Sequence, residues 1–172
     1  MTPTLPPAQA ALAGPRLARV VLDGESQTGL SPFIEADREQ AVADLGAASH
    51  FAPLTRAEVP GPYELHLAIR EGRLIFDVRD LAGAPIIAIG LVLTPFRRLV
   101  KDYQLLVDSH IMAVEEGREA RIQAIDMGRR GLHNEGAELM RQRLAGKIEI
   151  DFDTARRLFT LVCVLHQRVS AR

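Results

Sequence analysis

The stretch richest in groups able to do chemistry is Gly128, Arg129, Arg130, Gly131, Leu132, His133, Asn134, Glu135, Gly136, Ala137, Glu138. A glycine inside a helix costs about 1 kcal/mol relative to alanine, so three in so short a run point to a backbone that something approaches closely. As a functional segment, it offers His133 as a proton shuttle working with Glu135 or Glu138, and Arg129 or Arg130 as the holder of an anionic substrate. As a packing segment, it lets two helices cross at Gly128 and Gly131, with Asn134 capping the second and His133 a satisfied structural histidine. Neither alternative is excluded by the residue types. The spacing is not H-E-x-x-H or another metal-site pattern.

Arginine pairs recur at Arg97–Arg98, Arg129–Arg130 and Arg156–Arg157. The first and third pairs fall in the opening turns of expected helices, where positive side chains oppose the helix dipole. A bound phosphate or carboxylate reverses that penalty, because helix amides and arginine forks converge on anions. Arg97, Arg98, Lys101, Arg129 and Arg130 are therefore the candidate anion ligands, and His133 and Glu135 the candidate acid and base. The plainer alternative pairs the arginines with neighbours, such as Arg156 and Arg157 with Asp153, or lays them along helix faces. Residues 1–90 carry a net charge of −4 and residues 91–172 a net +3, within an overall −1. That balance argues against a dedicated polyanion binder. With 5% aromatics and no tryptophan, there is little material for stacking on single-stranded nucleic acid.

Other chemistries are poorly provided for. Cys163, the single cysteine, sits in the apolar run Leu161–Leu165, where a thiol behaves as a small hydrophobe and no intramolecular disulfide can form. His50, His66, His110 and His166 are scattered singly, so no metal ligand set is expected. There is no G-x-G-x-x-G, G-x-x-x-x-G-K or G-x-S-x-G, and no cofactor is expected. The proline-rich start, MTPTLPPAQAALAG, lacks the charged-then-apolar layout of a signal peptide. The longest apolar runs fall far short of the roughly 20 residues that cross a bilayer.

The elements that must position these residues follow from the hydrophobic period. With 47% hydrophobic and 25% charged residues, a packed core is expected. Residues 1–15 read as a disordered tail and 16–172 as a single α+β domain. Residues 16–23 suit a strand, and Ser31–Pro32 starts a helix running to about Ser49. Pro53, Pro60 and Pro62 enforce an extended linker. From Tyr63 the period is two, giving a hairpin around Glu71–Gly72 and a third strand over Ile86–Leu93. Thr94–Pro95 opens a long amphipathic helix to Gly117. Helical stretches follow over 118–130 and 132–145, with a break, bend or tight contact at Gly128 and Gly131. After a short alternating piece at 147–150, Asp151 or Asp153 caps a last helix, apolar nearly all round, that serves as core helix or oligomer seam. The expected fold is an antiparallel sheet, made of an N-terminal strand and a three-strand meander, followed by a bundle of three to four helices.

The strings GPYELHLAIREGRLIFDVRD, LTPFRRLVKDY and IDMGRRGLHNEGAELMRQRLAGKIEIDFDTARRLFTLVCVLH resemble an uncharacterised protein family of the alphaproteobacteria with no assigned activity. The resemblance spans about Leu17–His166 and implies a bacterial cytoplasmic protein. It implies no catalytic residue, so the arginine and glycine arguments rest on the residues alone. The leading reading is a non-enzymatic binding or regulatory module that presents its helical half to a protein partner or a second copy. The alternative is an enzyme or sensor for a small phosphorylated metabolite using the arginine site. Nucleic-acid binding through the basic half stands third and predicts a steep salt dependence. No membrane partner is expected.

Overall fold

The structure, a computed structural model, describes residues 14–23 and 30–170, with side chains as far as Gln167. Most of the tail expected over residues 1–15 lies outside the described residues. The described chain begins ahead of Arg16, since the Pro15 carbonyl accepts a hydrogen bond from the Phe51 amide at 2.8 Å. In chain order the elements are β1 (Leu17–Leu22), α1 (Pro32–Ala47), β2 (Phe51–Pro53), β3 (Tyr63–Arg70), β4 (Arg73–Arg79) and β5 (Pro85–Val92). A 3₁₀ turn (Thr94–Phe96) leads into α2 (Arg97–Glu115), then α3 (Glu119–Leu144), β6 (Ile148–Ile150) and α4 (Phe152–Ser170).

The period-two segment folds as its alternation dictates. β3, β4 and β5 form an antiparallel meander, with Leu67 opposite Phe76 and Phe76 opposite Ile89 on the buried face. Glu71 and Gly72 both take positive φ, 53° and 73°, which gives the two-residue connection the twist a hairpin needs. β1 joins the other side of β3 in parallel, so the four-stranded sheet β1-β3-β4-β5 is mixed where antiparallel pairing throughout was expected. The cause is the long connection carrying α1 between β1 and β3, a crossover that returns the chain in the same direction. A second, two-stranded sheet pairs β2 with β6, Phe51 facing Ile150, so one end of the proline linker and the alternating piece at 147–150 are partners.

Caps act where the residue types suggest. Ser31 Oγ accepts from the Ile34 amide at 3.3 Å to start α1, and Asp151, rather than Asp153, accepts from the Thr154 amide at 2.9 Å to start α4. α3 departs from expectation: it runs unbroken for 26 residues through Gly128 and Gly131, and Asn134 stands exposed in mid-helix instead of capping. The close approach lies one turn on, at Gly136, where an added Cβ would fall 2.4 Å from the Phe159 ring of α4. α4 is the core helix, with Leu158, Phe159 and every residue of Leu161–Leu165 buried. It packs against α1, α3 and β3, so its apolar surface is spent within the chain. Among the described residues, no helix is long and apolar enough to cross a membrane.

Candidate functional site

α1, α3 and α4 each turn one polar stripe toward a common cavity of about 180 Å³. α1 contributes Asp37, Gln40 and Asp44 at spacings of three and four, α3 contributes Arg129 and His133, and α4 contributes Arg156, Arg157 and Thr160. Residues three and four apart share a helix face, so these positions converge while the intervening ones pack or face water. The tight contact between Gly136 and Phe159 brings α3 and α4 together just beyond this cavity.

Asp37 is the hub of the charged groups. Tyr103 of α2 donates its hydroxyl to Asp37 Oδ2 at 2.7 Å, and Arg129 Nη1 donates to Oδ1 at 3.2 Å and to Oδ2 at 3.3 Å. The Arg129 guanidinium also lies 5.1 Å from the centre of the Phe33 ring, a cation–π contact that fixes it from the α1 side. Arg157 Nε reaches Asp44 Oδ2 at 3.2 Å across the cavity wall, not Asp153 beside it in sequence. Burial first, then the charge of Asp37, push the Tyr103 hydroxyl far above its ordinary range, so it remains a donor.

His133 is 9% exposed, with its ring centre 5.9 Å from those of Tyr103 and Phe159. Burial first, and the Arg129 and Arg156 charges second, push its pKa down from 6.5 to about 4, so the ring is neutral at pH 7. Three buried side-chain atoms lack a hydrogen-bond partner among the described residues: Gln104 Oε1, His133 Nε2 and Arg156 Nε. Two of the three belong to residues lining this one cavity.

The sequence-derived candidates separate into different places. Arg129 and His133 line the cavity. Arg130 is exposed outside it. Arg98 pairs with Asp102 at 3.3 Å and with Glu135 on the solvent side of α2 and α3. Glu135 is thereby turned away from His133, and the two do not meet as acid and base. Lys101 and Arg97 are exposed on α2, where the Arg97 charge adds to burial in lowering the pKa of His166. Arg156 and Arg157, noted in the sequence but not assigned as ligands, are in the cavity instead. No group of three His, Cys, Asp or Glu side chains able to hold a metal occurs among the described residues.

Residues 14–168 match the model of the uncharacterised protein family UPF0262. The chain belongs to that family. It is similar to a UPF0262 protein of Granulibacter bethesdensis, 64% identical over 163 residues that cover 91% of this chain and 93% of that protein. A UPF0262 protein of Acidiphilium cryptum is 59% identical over 153 residues, covering 89% and 93%, and one of Maricaulis maris is 49% identical over 156 residues, covering 91% and 96%. These relatives are alphaproteobacterial, as the quoted strings imply. No solved structure matches the chain.

Proposed function

We propose that this protein is a binding module for a small anion, held between α1, α3 and α4 by Arg129, Arg156, Arg157 and His133. The observation that carries the reading is the pair of buried, unpartnered nitrogens, His133 Nε2 and Arg156 Nε, at one cavity. Buried polar atoms are rarely left without partners, and an orphan costs about 1–3 kcal/mol. An anionic oxygen seated there accepts from Arg156 Nε and from a neutral His133 carrying its proton on Nε2. The wall charges favour it, since three arginines face two aspartates, Asp37 and Asp44. The volume suits an inorganic anion or a short phosphorylated or carboxylated metabolite; drug-sized ligands need roughly 300 Å³ or more. Glu135 is held by Arg98 on the other face, and the carboxylates of the cavity wall are engaged, Asp37 by Tyr103 and Arg129 and Asp44 by Arg157, so the reading is recognition rather than turnover.

The test is a thermal-shift and calorimetric titration with sulfate, inorganic phosphate and a panel of short phosphorylated and dicarboxylic acids, at constant ionic strength. A saturable rise in Tm is expected, lost in Arg156→Ala and retained in Arg130→Ala, whose side chain lies outside the cavity. No saturable shift, or an equal shift in Arg156→Ala, overturns the reading.

A further inference from the structure

The outer face of α2 and α3 leaves several large apolar side chains in solvent. Leu105 and Met112, seven residues apart on one side of α2, are each 56% exposed, and Met127 of α3 is 72% exposed. Between the two helices runs a shallow groove of about 420 Å³ lined by Leu105, Leu106, Gly128 and Leu132, with Asp102 and Glu135 at its rim. Clustered exposed apolar surface of this kind marks an interaction site rather than the scatter normal on a monomer.

The glycines supply a second and independent observation. Gly131 has nothing within 4 Å of where a Cβ would stand, and Gly128 meets only Leu106 at an ordinary 3.6 Å. Both sit exposed in the middle of a continuous helix, where each costs about 1 kcal/mol against alanine. Nothing inside the chain requires either to be glycine, in contrast to Gly136. A neighbouring helix pressed against this face would.

The charges of α2 identify the neighbour. Its first turns carry Arg97, Arg98 and Lys101, and its C-terminal end carries Glu115 and the capping Glu116, which also pairs with Arg118 at 3.0 Å, an order that opposes the helix's own dipole at both ends. An antiparallel copy of the same helix reverses this, setting the basic end against the acidic end twice about a two-fold axis. With the axis between Asp108 and Ser109, Leu105 meets Met112 of the second copy and Lys101 meets Glu116. An isologous contact demands self-complementarity of this sort, whereas an unrelated partner does not. We infer that the α2–α3 face is the interface of a symmetric homodimer, in which the two hairpins pack as four helices and Gly128 and Gly131 allow close approach.

The experiment is light scattering coupled to gel filtration on the full chain, from low to high micromolar concentration. The expected mass is twice the 18.9 kDa of the chain. Leu105→Glu combined with Met112→Glu should give a folded monomer with unchanged far-UV circular dichroism. Lys101→Glu should weaken association by about tenfold or more, and adding Glu116→Lys to it should restore the dimer. A monomer at every concentration overturns the inference and leaves the face to a different protein. A dimer that survives both the apolar and the charge substitutions overturns it as well, because the contact then lies elsewhere.

Discussion

The burial of His133 makes stability depend on pH in a calculable way. Its folded pKa is depressed, from 6.5 to about 4, so the unfolded chain takes up the proton first as pH falls. The stability contributed by a neutral, buried ring is therefore complete above about pH 6.5 and is lost as pH falls toward 4. The full separation of the two values corresponds to about 3 kcal/mol, and about 2 kcal/mol of it should already be gone at pH 5. Urea unfolding of the wild type and of His133→Gln from pH 8 to pH 4.5 reads this directly. The wild-type free energy should fall by about 2 kcal/mol more than that of the variant between pH 8 and pH 5. His166, whose pKa is also lowered by burial and by Arg97, is present in both proteins and cancels in the difference. Parallel curves for the two proteins would refute the reasoning, since they would mean that the ring at 133 takes up its proton without cost. Sulfate adds a second arm. An anion beside His133 favours the protonated ring and raises its folded pKa, so saturating sulfate should flatten the wild-type curve and leave that of His133→Gln unchanged.

Three further outcomes follow from packing. Gly136→Ala places a methyl 2.4 Å from the fully buried Phe159 ring and should lower stability by about 1–3 kcal/mol in urea unfolding, whereas Gly131→Ala, which meets nothing, should leave the dilute monomer unchanged or up to about 1 kcal/mol more stable. Tyr103→Phe removes the 2.7 Å hydroxyl donor from Asp37 and should cost about 1.5–3 kcal/mol by the same assay, the range for a hydrogen bond to a charged group. Cys163 is fully buried, with its thiol pushed well above its ordinary range by desolvation, so it should resist a thiol reagent in the native protein and react once urea unfolds the chain.

The hairpin and α2 were readable because a local period determines them. Tyr63–Arg79 alternates cleanly about Glu71–Gly72, and the stripe from Leu99 to Val107 recurs at helical spacing. β1's parallel pairing was not readable, because strand order and direction depend on where α1 packs and not on the residues of β1. The α3 side of the cavity was visible as Arg129 and His133, whose types are unusual together. Asp37 was missed although a signal was present: Ile34, Ala41 and Leu45 are the buried stripe of α1, and Asp37 falls within their three-and-four spacing. A carboxylate on a buried face requires a partner, and that partner, Arg129, stands 92 positions away, where no local pattern can find it.

The geometry of α3 also explains why His133 and Glu135 do not meet. Successive residues on an α-helix are about 100° apart, so positions two apart, such as His133 and Glu135, point to nearly opposite sides. Only a break could have brought them together, and α3 is continuous. The same rotation sends Arg129 and His133, four apart, inward to the cavity, sends Gly128 and Glu135 outward to the groove, and leaves Gly131 in open solvent. One segment thus serves two surfaces through alternating positions rather than one site through all of them. Substitutions at Arg129 or His133 should therefore alter sulfate binding with the dimer intact, and bulky residues at Gly131 should impair the dimer with sulfate binding intact. A substitution confined to one face that abolished both would argue that α3 had lost its place in the fold, which far-UV circular dichroism and the unfolding midpoint would then report.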